Sequence, residues 1–247
     1  MFRFLEARDA RERMDELERF LEFWYGPRSP QYGETQQQLR RFPLPEPLRR
    51  FHAFAGRWPP PTPTDSLEFF YSGAGGHHLQ PLDYVKQRPD GRLDFFMEYQ
   101  GDWQGLTLPT EADPPVWIEG SFNDDDEGLE GGDGPRPRIR IACASLSKFL
   151  VTHCLLTSIY EDPNAPCSTY ARPGSPLFTF VDANPGRVVL IWDCEGCRCP
   201  CYQGSVHLMK EGILVHKGMG YYRLGALRPE GIKLLKTLID GLSLTNG

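Results

Sequence analysis

The most concentrated set of reactive side chains in the sequence is a run of four cysteines, Cys194, Cys197, Cys199 and Cys201. The first two have the spacing of a zinc knuckle, in which two thiolates and the backbone amides between them approach one ion. A standard structural site takes its other ligands from a second, separated pair, whereas here the remaining cysteines follow at once, with a proline between them. We therefore predict that the segment holds no functional metal and that the protein needs no cofactor. A zinc site made by these thiolates, completed by Cys167 or His207, is the alternative.

Other motifs for catalysis are absent from the sequence. It has no phosphate-binding loop, no nucleophile elbow and no His-Glu-x-x-His pair. The glycine-rich residues 73–76 lack the lysine of a phosphate loop, so we predict a turn there, followed by exposed His77 and His78. Carboxylates are numerous enough for a general acid–base pair, but no two of them are singled out. We predict that the protein is not an enzyme, with a zinc- or thiol-dependent activity at the cysteine run as the alternative.

Negative charge is concentrated in the middle of the chain. The 247 residues carry a net charge of −6, which disfavours a nucleic-acid-binding protein. Residues 57–135 hold four basic and sixteen acidic residues, a net charge of −12. The densest group of acids is Asp124, Asp125, Asp126, Glu127, Glu130 and Asp133. Because such a group attracts a basic partner over a distance, we predict that these six side chains bind a protein. A solvated segment that only keeps the protein in solution is the alternative.

The composition is typical of a globular protein. Hydrophobic residues make up 40% of the chain, which is enough for a sizeable core. No stretch approaches 18 consecutive apolar residues, and the first residues lack the apolar region of a secretory signal. Seven cysteines, an odd number, indicate reduced thiols rather than a disulfide framework. We therefore expect a cytoplasmic protein that binds neither membrane nor nucleic acid.

Helices are predicted at both ends of the chain and in its middle. Asp9 and Glu12 resemble a capping box, and apolar residues then repeat on one helical face as far as Gly26. Three further helices are predicted over residues 45–56, from Ser145 onward with one inward face, and over residues 229–242.

Short strands are predicted between the helices. They cover residues 67–71, 82–87, 93–98, 105–108, 116–118, 177–182, 187–193, 205–209 and 212–216. Asp90-Gly91 between two of them is a hairpin signal. Because short turns join the strands and the helices come in blocks, we predict an α+β fold. It has a central, mostly antiparallel sheet with helices packed on one side, plus a C-terminal strand-and-helix extension.

Three segments, in the same order, resemble those of a known family. Residues 44–56 begin Leu-Pro-Glu-Pro-Leu and end in glycine, and residues 93–106 lead an aromatic strand into Glu-Tyr-Gln and a Trp-containing turn. Asp-Pro-Pro-Val follows at residues 113–116, and the third segment is Ser-Leu-Ser-Lys-Phe-Leu at residues 145–150. Together they resemble the SUKH superfamily, the domain of the yeast Knr4-type cell-wall regulators and of many bacterial toxin-immunity proteins. Tyr99 stands where the family usually has asparagine.

The resemblance implies a SUKH-like domain over residues 1–160 and an extension, residues 161–247, packed on it. It also implies a protein-binding module that neutralises a cognate toxin by direct association. An acidic chain suits a basic, nucleic-acid-targeting toxin. An intracellular regulator or scaffold without a toxin partner is the alternative. The motif residues are expected to act mainly in structure, with Trp103 covering the sheet end or serving as an exposed anchor: Glu98, Gln100, Trp103, Asp113, Pro114 and Pro115.

Overall fold

The fold combines six α-helices and eleven strands in the part of the chain that the structure describes. This structure is a computed structural model, and it describes residues 2–56, 77–98, 103–120, 138–160, 167–194, 204–218, 220–226 and 229–243. The helices are α1 (Ala10–Tyr25), α2 (Gln36–Leu39), α3 (Glu46–Ala55), α4 (Leu146–Tyr160), α5 (Pro176–Ala183) and α6 (Pro229–Ser243). No helix within these ranges has the length and hydropathy needed to cross a bilayer.

Helix α1 forms where its capping residues and apolar spacing predict it. The Asp9 carboxylate accepts a hydrogen bond from the Glu12 amide at 2.9 Å, which satisfies one of the free N–H groups of the first turn. Apolar residues three and four positions apart, including Leu17, Phe20 and Leu21, are fully buried. The helix ends at Gly26, which has a positive φ of 97° that other residues rarely adopt.

The first sheet is antiparallel and is built from the middle of the chain. Its strands are β1 (His77–Leu79), β2 (Lys86–Gln87), β3 (Leu93–Glu98), β4 (Trp103–Thr107), β5 (Val116–Gly120) and β6 (Arg138–Cys143). They lie in the order β1-β3-β4-β5-β6, with β2 also paired to β3. His77 and His78 therefore lie on a strand, opposite Glu98 and Met97, and the prediction that they belong to a loop is wrong. The turn predicted at residues 73–76 lies outside the described residues.

A β-bulge gives β3 two consecutive core residues. The register shifts between Asp94 and Phe96, so Phe95 and Phe96 both turn inward and both contact the Phe149 ring of α4. The inner face of the sheet thus packs on α4. Asp94 is left on the opposite face, because its cross-strand partner Leu106 lies outside the core cluster.

In helix α4 every side chain from Leu146 to Ile159 except that of Lys148 is buried, where the sequence predicts one inward face. It packs against α1, α3 and the first sheet, and also against strands of the second sheet. Its core-forming residues share one cluster with Ile191, Val206 and Leu214 of that second sheet. Thr152 is fully buried and accepts a 2.8 Å hydrogen bond from the Trp192 indole.

The second sheet contains the strands of the C-terminal part. They are β7 (Cys167–Ala171), β8 (Val188–Asp193), β9 (Ser205–Met209), β10 (Ile213–Gly218) and β11 (Tyr221–Ala226), in the order β7-β11-β10-β9-β8. Helices α5 and α6 form a second core with it. The predicted strand at residues 177–182 is wrong, because Ser175 caps a helix there by accepting from the Phe178 amide at 3.2 Å. Strands β1, β6, β7 and β11 were not predicted.

The predicted α+β fold with antiparallel pairing is confirmed, and the chain forms two sheets where one central sheet was predicted. Residues 161–247 supply a whole second sheet rather than an appendage, and they complete the burial of α4. The predicted boundary between a domain of residues 1–160 and an extension of residues 161–247 stays a prediction. The predicted strand at residues 67–71 lies outside the described residues.

Candidate functional site

The motif Asp-Pro-Pro-Val holds the start of α4. The Asp113 carboxylate accepts from the Ser147 amide and from the Ser147 hydroxyl, both at 2.8 Å. The Pro114 carbonyl accepts from the Leu146 amide at 2.7 Å. These bonds satisfy N–H groups that the first turn of a helix leaves without intrahelical partners. Asp113 and Pro114 therefore position α4, which is the structural role that the sequence indicates.

A buried ion pair extends this network to α1. Arg13 contacts the Asp113 carboxylate at 2.9 Å, and its Nε donates to the Ser147 hydroxyl at 2.7 Å. Both charged side chains are largely removed from water, with 10% and 17% of their surface exposed. Pro115 continues the connection, because its carbonyl accepts from the Thr107 hydroxyl at 3.0 Å.

The remaining motif residues lie at the far end of β3 and β4. Glu98 is buried, and Trp103 is 8% exposed and stacks on Phe96 with ring centroids 5.5 Å apart. The expectation that Trp103 is an exposed anchor is wrong, because its side chain is buried against Phe96. Gln100 lies outside the described residues.

Cys194 points into the hydrophobic core. It is 2% exposed, and burial raises the pKa of its thiol to about 12, with Asp193 and Cys143 contributing. The Cys194 amide donates to the Gly204 carbonyl at 2.9 Å, so the cysteine run begins where β8 and β9 meet. Cys197, Cys199 and Cys201 lie outside the described residues. Among the side chains that are described, no group of three or more metal-ligating residues is placed to hold an ion.

His207 lies close to this junction, on the opposite side of the second sheet from Cys194. It shares that side with Val215 of the second core, because the two are cross-strand partners. Its Nε2 lies 2.9 Å from the Ser205 hydroxyl, and burial lowers its pKa to about 4. The described part of the chain therefore does not bring His207 and Cys194 together as ligands.

The face of the first sheet that points away from α4, here called the outer face, is the exposed surface that stands out. Cross-strand pairing places its side chains in two rows, Asp94–Leu106–Trp117–Ile141 and Met97–Gln104–Glu119–Ile139. Met97 is 37% exposed, Ile139 42% and Ile141 53%. Ile139 and Ile141 are neighbours on β6, whereas Met97 lies three strands away on β3. Adjacent exposed aliphatic side chains such as the two isoleucines make this part of the outer face a candidate interaction site.

The charges of the outer face are mostly paired. The Arg88 guanidinium crosses the face from the β2–β3 hairpin to the Glu119 carboxylate, and Arg92 contacts Asp90 at 2.6 Å. The surroundings of the Asp94 carboxylate differ from those of Glu119 and Asp90. Asp94 is half-buried, its Oδ1 accepts from the Gln80 side-chain amide at 2.9 Å, and burial raises its pKa to about 6. Alternation along β3 places Asp94 on the opposite face from Leu93 and Phe95, but its half-buried state depends on neighbouring strands and could not be inferred from the sequence.

The acidic segment is connected to one end of the first sheet. Gly120 and Arg138 are cross-strand partners, so residues 121–137 leave and re-enter the first sheet at one end of β5 and β6. Asp124, Asp125, Asp126, Glu127, Glu130 and Asp133 all lie outside the described residues. Their points of attachment lie next to Glu119 and Ile139, in the second row of the outer face.

Comparison with known proteins gives no match to a family model, to a curated protein or to a solved structure. The resemblance to the SUKH superfamily therefore stays a prediction that depends on the three sequence segments.

Proposed function

We propose that the protein is a binding module without enzymatic activity, and that it binds a basic protein through the outer face of the first sheet. The observation that carries the proposal is the pair of exposed Ile139 and Ile141 side chains on β6, the strand that begins where the acidic segment ends. Aliphatic contact supplies affinity at the centre of an interface, while surrounding acids steer a basic partner toward it.

The partner that fits this chemistry, together with the sequence resemblance, is a cognate toxin that acts on nucleic acid. Enzymes of that kind carry basic surfaces for their substrate, so an acidic protein that covers such a surface also blocks access to the substrate. An immunity protein is thus the proposed function. A regulator that binds a cellular protein through the same face is the second candidate, supported by the resemblance to the fungal members.

Co-expression with the protein encoded beside its own gene tests the proposal. We expect the wild-type chain to restore growth of cells that express the neighbouring protein and to bind it when both are purified. Ile139→Glu with Ile141→Glu should abolish both effects, because two charges would replace the exposed aliphatic surface. Leu190→Glu is the matched control, since Leu190 is 38% exposed on the second sheet. Equal rescue by both variants would contradict the proposed binding face.

A further inference from the structure

Strand β6 forms one edge of the first sheet. It pairs with β5 on one side, and in the described part of the chain no strand lies on its other side. Every second residue of an edge strand directs its N–H and C=O groups away from the sheet, so such a strand is a template for one more extended chain.

Exposure of the outer face rises toward this edge. Leu106, Trp117 and Ile141 are cross-strand partners on β4, β5 and β6. Leu106 is fully buried, Trp117 is half-buried and Ile141 is 53% exposed, while Ile139 beside it is 42% exposed. Side chains on a sheet face are covered by their cross-strand neighbours on both sides. The two isoleucines therefore have the exposure expected where one further strand could still be added.

Three other edge strands are built in ways that hinder addition of a strand. Strands β1 and β2, at the opposite edge of the first sheet, have only three and two residues. Strand β8 of the second sheet has a bulge in its middle, because Ile191 falls between the residues that pair with His207 and Val206. Short strands and bulges both discourage pairing with another chain. In β6 the register shifts only near the end, at Ala142, so residues 138–141 form a regular ladder with β5.

We infer that the basic partner adds an extended segment to β6 as a further strand, an inference that rests on the proposed function. Main-chain hydrogen bonds to residues 138–141 hold the segment, and alternate aliphatic side chains cover Ile139 and Ile141. Six acids at positions 124–133 precede β6 closely in the chain, so Lys or Arg residues are expected at the ends of the added segment. A second copy of this chain suits the edge less well, because both copies would carry the same acids.

A designed peptide tests this inference without the natural partner. The probe is acetyl-Lys-Lys-Thr-Val-Thr-Val-Thr-Lys-Lys-amide, which alternates aliphatic and polar residues and is basic at both ends. Binding is followed by NMR on isotope-labelled protein. We expect saturable shifts of the β6 amide resonances and, at saturation, at least tenfold slower amide exchange at alternate residues of 138–141. Amide exchange in the interior strand β4 should stay unchanged.

Two N-methylated versions of the peptide are the matched controls. Methyl groups on the valine nitrogens or on the threonine nitrogens each block the N–H groups along one edge of the extended peptide. Since only one edge faces β6, one version should lose at least tenfold in affinity and the other should bind within threefold of the probe. Ile141→Thr should weaken binding severalfold, whereas Leu190→Thr, at a 38% exposed position on edge strand β8, should change it less than twofold.

Absence of saturable binding, equal affinity of the two N-methylated peptides, or unchanged amide exchange in β6 would overturn the inference. Sedimentation of the protein alone examines the second copy, and a dimer with protected β6 amides would overturn it too. With the natural partner, loss of binding in the Ile139→Glu/Ile141→Glu variant without slower β6 amide exchange in the wild-type complex overturns strand addition alone. Retained binding in that variant overturns the proposed function as well.

Discussion

Arg13 and Asp113 are 100 residues apart in the sequence and form a 2.9 Å ion pair that joins α1 to the first turn of α4. The same carboxylate accepts two hydrogen bonds from Ser147. One side chain thus caps α4 and neutralises a buried guanidinium. This arrangement explains why an aspartate precedes the two prolines, since Pro114 and Pro115 direct the chain into β5 while Asp113 faces the helix.

Asp113→Ala should destabilise the protein strongly. The substitution removes the cap of α4 and leaves Arg13 charged and largely buried, and breaking a buried pair in this way costs ~3–5 kcal/mol of unfolding free energy. Urea denaturation at pH 7 measures the loss. Arg8→Ala is the control, because Arg8 pairs with Glu12 at 85% exposure and should change stability by less than about 0.5 kcal/mol. Similar losses of unfolding free energy in both variants would mean that the buried network stabilises the protein no more than an exposed ion pair does.

The bounds of a helix could be predicted from the sequence where residues close to its ends determine them. Asp9 predicts the start of α1 because a cap acts over three residues, and Gly26 predicts its end. Residues 177–182 were predicted as a strand because Leu, Phe, Thr and Val favour strands, but Ser175 and Pro176 start a helix there. The serine–proline pair was the available signal, and it outweighs the strand preference of the residues that follow.

The outer face was not predictable from the sequence. Met97 lies on it only because a bulge between Asp94 and Phe96 changes the face on which the later residues of β3 lie. Strand β6, which carries Ile139 and Ile141, follows the acidic segment and was not recognised as a strand. The pairing of Arg88 with Glu119 likewise follows from sheet geometry rather than from spacing along the chain.

Asp94→Asn should stabilise the protein at neutral pH. Burial raises the folded-state pKa of Asp94 to about 6, above its ordinary value of 3.8, so its ionised form is disfavoured by folding. The wild type therefore loses stability as the pH rises through this range, and the variant does not. We expect a gain of ~1 kcal/mol at pH 7, reduced by partial solvent exposure, that disappears near pH 4. Urea denaturation at both pH values measures it; a variant less stable than wild type at pH 7 would contradict the reasoning.

His52 should make the protein sensitive to acid. It is fully buried in α3, and neither ring nitrogen has a hydrogen-bond partner among the described residues. Burial lowers its pKa from 6.5 to about 4, so the unfolded chain binds the proton first as the pH falls. The stability that His52 contributes in its neutral form is complete above pH 6.5 and declines toward pH 4.

His52→Leu should remove this dependence. Between pH 7 and pH 5 we expect the wild type to lose ~2 kcal/mol more unfolding free energy than the variant. At pH 7 the variant should be at least as stable, because it buries no unsatisfied nitrogen. Denaturation curves at the two pH values give the comparison, and parallel losses in both proteins would assign the acid sensitivity to other groups.

Thr152→Val tests whether α4 and the second sheet unfold together. The substitution keeps the side-chain shape and leaves the Trp192 indole N–H without its 2.8 Å acceptor, at a cost of ~1–3 kcal/mol. If the shared core makes one cooperative unit, Trp fluorescence and far-UV circular dichroism should report a single, shifted transition. Thr179→Val is the control, because Thr179 is exposed on α5 and its hydroxyl donates only to a backbone carbonyl, that of Ser175. Two separate transitions would support folding units divided near residue 160.

Neutralising Asp124, Asp125 and Asp126 together to Asn should slow association with the basic partner more than it speeds dissociation. Exposed charges act over about one Debye length, roughly 8 Å at physiological salt, and mainly steer the encounter. The segment that carries them joins Gly120 to Arg138, at the end of β5 and β6 where Glu119 and Ile139 also lie. Surface plasmon resonance at several salt concentrations should show a steep fall of the wild-type association rate and a weaker fall for the variant. Stability should change by less than about 0.5 kcal/mol. An unchanged association rate with an unchanged salt dependence would show that the segment is only solvated, and the aliphatic side chains of the outer face would then have to account for recognition alone.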